Sequence, residues 1–180
     1  MNQVSETSIN DSYGTLIEPT TLKIQRMLPG PIERVWAYLI DGDLRRKWLA
    51  SGDITPTAGS TVELVWRNDE LTDPPGNKPE GFGTEHRMES KILEAVPPRR
   101  LAFTFGVNGE VSFDLEAKGD KVLLTLIHRR LPDRATMLKV SAGWHSHIGL
   151  MVADISGAKK EPFWDTWLRL KNDYDRLLPT

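Results

Sequence analysis

The chain has no cysteine. Disulfides, thiolate metal ligands and a cysteine nucleophile are therefore excluded, and folding needs no oxidising compartment. Neither sign of charge is in surplus: 23 basic residues stand against 25 acidic ones, a net charge of -2. Without a basic surface there is no electrostatic case for nucleic acid or an anionic membrane as partner. No apolar run approaches the ~20 residues of a spanning helix. The first twenty residues are polar, include Glu6, Asp11 and Glu18, and lack the basic start and apolar stretch of a signal peptide. A soluble, cytoplasmic protein is the expectation. Also missing are a Gly-x-Ser-x-Gly elbow, a phosphate-binding glycine loop and a His-Glu-x-x-His pair. No cofactor and no metal site is expected.

What is present fits one domain: 180 residues can bury a core without staples. Residues 1–20 read as a disordered tail, because few apolar groups oppose disorder there. Residues 21–180 read as the domain. Leu22, Ile24 and Arg26 alternate with Lys23, Gln25 and Met27, as a strand requires. Pro31 suits the first turn of a helix, and Ile32, Val35, Trp36, Leu39 and Ile40 lie on one helical face. A second short helix is expected over Leu44 to Ala50. Alternation around Trp66, over Thr84 to Glu94, around Phe103 and Phe113, and over Val122 to Arg130 predicts further strands. Asn108-Gly109 is a two-residue hairpin signal, so the sheet should be an antiparallel meander. Trp144, Ile148, Met151 and Ile155 keep 4, 3, 4 spacing. Pro162 then reopens a helix carrying Phe163, Trp167, Leu170, Tyr174 and Leu177. Strands followed by segregated helices indicate an α+β fold.

The segment IQRMLPGPIERVWAYLIDGDLRRKWLASGDI carries a strand Arg26, a helix led by Pro31 with Val35-Trp36, and Trp48 a dozen residues on. With GFGTEHRMESKILEAVPPRRLAFTF, LLTLIHRRLP, SAGWHSHI and PFWDTW it resembles START-like (SRPBCC) domains of the heat-shock-protein-90 ATPase activator homologue type. The resemblance covers Thr21 to Leu178. It implies a helix-grip fold, a curved antiparallel sheet wrapped around a long C-terminal helix with a cavity between them. Relatives of that fold bind lipids, plant hormones or polyketides, and some are cyclases; no catalytic signature carries over. The eukaryotic co-chaperone has a separate N-terminal docking domain, which a twenty-residue tail does not replace.

The aromatic set is the informative one, with six tryptophans. Trp36 and Trp167 are expected in ordinary core packing. Trp66, His86, Met88, Phe103, Phe105, Phe113, Trp144, Ile148 and Met151 are expected to contribute to one internal ligand pocket, since such pockets are mainly apolar and aromatic. The expected function is binding of a small hydrophobic or aromatic molecule, lipid-, polyketide- or flavonoid-like. A cyclase or hydrolase with His86 as acid–base group, or a chaperone-ATPase-modulating interaction module, are the alternatives. A small hydrophobic ligand and a homodimer are the partners left open. His145 and His147, if helical, point about 200° apart and cannot chelate one ion. His128, beside Arg129-Arg130, is expected at the surface. The long loop from Asn68 to Gly83 has Phe82 as its apolar handle and could serve as a lid. Asp165 is expected as a helix-start carboxylate.

Overall fold

The computed structural model describes residues 9–180. Seven strands form one antiparallel sheet in the order β1-β2-β7-β6-β5-β4-β3. They are β1 (Thr15–Glu18), β2 (Thr21–Pro29), β3 (Thr61–Trp66), β4 (His86–Val96), β5 (Arg100–Phe105), β6 (Gly109–Lys118) and β7 (Lys121–Arg129). Helices α1 (Ile32–Ile40) and α2 (Gly42–Arg45) connect β2 to β3, and α3 (Arg134–Ser156) and α4 (Phe163–Leu177) complete the chain. This is the helix-grip fold: the sheet curves around α3, and α4 packs along α3 from outside. None of the helices among the described residues is long and apolar enough to cross a membrane.

Period-2 alternation decides which strand face is concave. Leu22 and Ile24 on β2, Val111, Phe113 and Leu115 on β6, and Leu124 and Leu126 on β7 are all buried. They meet the apolar stripe of α3, on which Ala142, Ile148 and Met151 are fully buried. On α1, Val35, Trp36 and Leu39 are buried as their spacing predicts, and the helix lies against β6 and β7. The second short helix begins earlier and is briefer than expected, because Asp41 caps it: Oδ1 accepts from the Asp43 amide at 2.9 Å. Helix α3 ends at Gly157, whose φ of 72° is the left-handed conformation that glycine adopts without steric cost.

The expected tail needs correction where it is described; residues 1–8 lie outside the described residues. From Ile9 on, the segment is part of the fold. Arg26 falls on the concave side of β2 at 2 % exposure, and a buried guanidinium must find acceptors. The segment ahead of β1 supplies them: Arg26 donates to the carbonyls of Ser12 at 2.8 Å and Ile9 at 3.2 Å. Asn10 pairs with the Met27 backbone in both directions, at 2.7 and 3.0 Å. Apolar content was the wrong measure for this segment, since it is held by polar backbone groups.

Candidate functional site

Residues at i, i+4 and i+8 share a helical stripe. On α3, Lys139, Gly143 and His147, with Val140 beside them, line a cavity of about 380 Å³. The strand ends supply the opposite wall with Trp66 of β3, His86 of β4 and Phe105 of β5. Trp164 and Trp167 of α4 form a side, and the loop from Gly81 to Glu85 forms the roof. A recess of about 100 Å³ lies behind Phe105 and Val140, with Trp144 in its wall.

Four of the nine expected pocket residues therefore come together here: Trp66, His86 and Phe105 in the main cavity, and Trp144 in the recess. The other five lie outside it. Phe103, Phe113, Ile148 and Met151 are packed core at 3 % exposure or less. Phe103 stacks on Phe113 with centroids 6.2 Å apart, and Phe113 meets Trp144 edge-on at 5.8 Å. Met88 is half-buried, and its sulfur accepts the Gly106 amide at 3.2 Å. The 4, 3 spacing picks out the most apolar stripe of α3, which is the stripe that fills with side chains. The cavity opens along the neighbouring, mixed-polarity stripe.

His86 pairs with Trp66 across the β3–β4 ladder, their rings 5.5 Å apart, and is exposed at the rim. The buried imidazole in the wall is His147, at 6 % exposure. Its Nδ1 lies 2.8 Å from the carbonyl oxygen of Trp48, and burial pushes its pKa down to about 4. His145, two residues before it, turns instead to the Tyr174 hydroxyl at 2.9 Å. His128 is not at the surface: it is 3 % exposed, on the inward face of β7, and Nδ1 accepts the Trp144 indole N–H at 3.0 Å. Its adjacent arginines suggested solvent, but alternation puts it on the opposite face from Arg129.

The loop after β3 is built onto α4. The residue that caps α4, Pro162, has no side-chain acceptor. The loop provides acceptors in its place: Thr72 Oγ1 takes the Phe163 amide and the Pro75 carbonyl takes the Trp164 amide, each at 2.9 Å. Asp165, in the first turn, accepts the Asn77 amide at 2.9 Å. Asp69 receives the Trp164 indole N–H and the Lys78 ammonium, both at 2.8 Å, and the lysine holds its carboxyl below the ordinary value. Gly76 crosses so close that a Cβ would fall 2.8 Å from the Asp165 nitrogen, at a φ of 88°. Phe82 then lies 4.9 Å from Trp164 and 5.2 Å from Trp167, ring to ring. Sequence spacing gave no sign of this: Trp164, Trp167 and Phe82 meet only because the loop folds back over α4.

Residues 29–153 match the family described as activator of Hsp90 ATPase homolog 1-like protein. The chain belongs to this family. Among solved structures, it is similar to the protein encoded by gene BPP1335 of Bordetella parapertussis. That likeness has 35% identity, covers 99% of this chain and 97% of the other, and has a TM-score of 0.79. CalU16 of Micromonospora echinospora shares the fold at 20% identity, over 89% of each chain, with a TM-score of 0.65. DynU16, from the dynemicin biosynthetic locus, shares it at 17% identity over 78% of this chain and 49% of the other, with a TM-score of 0.61. No curated protein matches the chain.

Proposed function

We propose that the protein binds a small hydrophobic or aromatic molecule, lipid-, polyketide- or flavonoid-like, in the cavity between the strand ends, α3 and α4. The observation that carries this reading is the wall itself: Trp66, Phe82, Phe105, Trp164 and Trp167 surround about 380 Å³. That volume lies in the range of small-molecule sites, which are mostly apolar with a few fixed polar groups. Trp66, His86, Phe105 and Trp144 are the contacts that sequence reasoning supplies to the site; Phe82, His147, Trp164 and Trp167 join them. The loop acts as the lid, with Phe82 as its apolar key. The origin of DynU16 in a biosynthetic locus suits a small-molecule role. A cytoplasmic setting belongs to the same reading, since a chain without cysteine needs no oxidising compartment.

The test is binding of an environment-sensitive apolar dye, followed by quenching of tryptophan emission and by competition with flavonoid-like and fatty-acid compounds. Native mass spectrometry of freshly purified protein asks whether a molecule is already bound, and also reports any homodimer. Dye that stays free in the presence of wild-type protein, with no bound molecule in the spectra, rejects the reading.

A further inference from the structure

Two buried imidazoles have their tautomers fixed, and in opposite senses. His147 Nδ1 is 2.8 Å from the Trp48 carbonyl oxygen. A carbonyl only accepts, so Nδ1 carries the proton and Nε2 is bare. His128 Nδ1 is 3.0 Å from the Trp144 indole nitrogen. An indole N–H only donates, so here Nδ1 is bare and Nε2 carries the proton. Burial lowers both pKa values to about 4, so both rings are neutral near pH 7. Neither Nε2 has a hydrogen-bond partner among the described residues, yet neither is among the buried polar atoms cut off from solvent. His147 therefore presents a lone pair, and His128 presents an N–H.

They present these to neighbouring spaces. His147 lines the cavity of about 380 Å³, and His128 lines a second, largely apolar chamber of about 750 Å³ between the β5–β6 hairpin and the start of α3. Phe105 and Val140 line both spaces, so the two adjoin at a half-buried phenyl ring and a valine. The Phe105 ring lies 4.9 Å from His128 and 5.8 Å from Trp144. An aromatic guest passing it would find ring faces along its length.

Resting on the binder reading above, we propose that the ligand is a flat aromatic molecule with a hydroxyl at one end and a carbonyl at the other. It passes Phe105, its hydroxyl donating to His147 Nε2 and its carbonyl accepting from the His128 Nε2–H. A purely apolar guest leaves both nitrogens unpaired in an apolar setting, and a carboxylate places its charge against the His147 lone pair. Sites built around buried polar groups reject analogues that lack the matching group far more strongly than sites that read size alone.

The probes are 6-acetyl-2-naphthol, its methyl ether, 2-naphthol and naphthalene, titrated while tryptophan emission is read. The wild type should bind the first with one molecule per chain and lose roughly tenfold in affinity when either polar group is missing. His147→Asn keeps a donor for the Trp48 carbonyl, and His128→Asn keeps an acceptor for the Trp144 indole. His147→Asn should erase the preference for the naphthol over its ether, and His128→Asn the preference for the acetyl compound over 2-naphthol. Naphthalene affinity, measured on each protein, is the reference from which that protein's two preferences are read, so a change of cavity shape in a variant is divided out. Four probes of equal affinity, an unchanged hydroxyl preference in His147→Asn, or two molecules per chain would overturn the proposal while leaving the binder reading standing. Failure of every probe, naphthalene included, would remove the binder reading and this proposal together.

Discussion

The Tyr174 hydroxyl on α4 accepts a hydrogen bond from the Gly14 amide, 2.7 Å away, tying the last helix to the segment ahead of β1. The ring is fully buried, and burial pushes the phenol pKa up to about 12, so it stays protonated and keeps a proton for His145. Tyr174→Phe leaves a buried amide unpaired and should cost about 1–3 kcal/mol. Urea unfolding should show a lower midpoint with an unchanged slope. Deleting residues 1–14 should cost more, because Arg26 then also loses the carbonyls of Ile9 and Ser12. A midpoint equal to wild type in the deletion would show that the segment contributes nothing.

Arg45 gives the opposite expectation. It is 2 % exposed, donates from Nη1 to the Leu39 carbonyl at 2.6 Å, and has no partner for Nε or Nη2. Burial lowers its pKa to about 10, although Asp53 and Asp41 pull the other way. Asp41 and Asp53 are exposed, so removing the guanidinium leaves no buried charge uncompensated, and replacement of buried charge by well-packed apolar side chains is then often neutral or stabilising. Arg45→Met should therefore unfold within about 1 kcal/mol of wild type or be more stable. A loss of several kcal/mol would mean that the guanidinium organises the α1–α2 corner.

Stability should depend on pH through the buried histidines. In the native state the pKa of His128 and His147 falls from 6.5 to about 4, and that of His145 to about 3, with burial the first cause for each. The unfolded chain then binds protons that the native state refuses, so stability is complete above pH 6.5 and declines as pH falls toward 4. Each ring contributes at most about 1.4 kcal/mol per pH step of one within that window. Urea midpoints at about pH 7.5 and about pH 5 should differ clearly, and less so in His147→Asn. A flat profile would show that these rings are hydrated.

Phe82→Ala tests the roof. Phe82 is 37 % exposed, so its removal should alter stability by no more than about 1 kcal/mol. A bound apolar dye should dissociate faster, since the ring that closes over Trp164 and Trp167 is gone. Stopped-flow displacement measures this. An unchanged dissociation rate would place the guest elsewhere.

Six of the seven strands and both long helices were legible because each rests on a local rule; β1 was missed, since it lies in the segment read as a tail. Alternation assigned Leu22, Ile24 and Arg26 to one face, and all three are buried. The site was legible only where a strand ends: Trp66, His86 and Phe105 needed nothing more than β periodicity. Periodicity cannot tell a filled stripe from a lining one, so Ile148 and Met151 were expected in the pocket, while the spacing of His145 and His147 did not say which of the two faces the cavity. Nor does it see contacts made across the chain. Asp69 with Trp164, or Ser12 with Arg26, depend on a loop meeting a helix and a terminal segment meeting a strand, contacts that no local spacing encodes.

The loop whose far end roofs the cavity also satisfies the first amides of α4. On the lid reading, an opening that lifts residues 72–75 together with Phe82 strips Phe163 and Trp164 of their acceptors, so the start of the helix loosens with the roof. Admission of a guest is then a small local unfolding, and its frequency is written in the exchange of those two amide protons with solvent. A guest that holds the roof shut slows that exchange without touching either amide. The helix start is thus a clock for the gate, readable by hydrogen exchange before any ligand has been named.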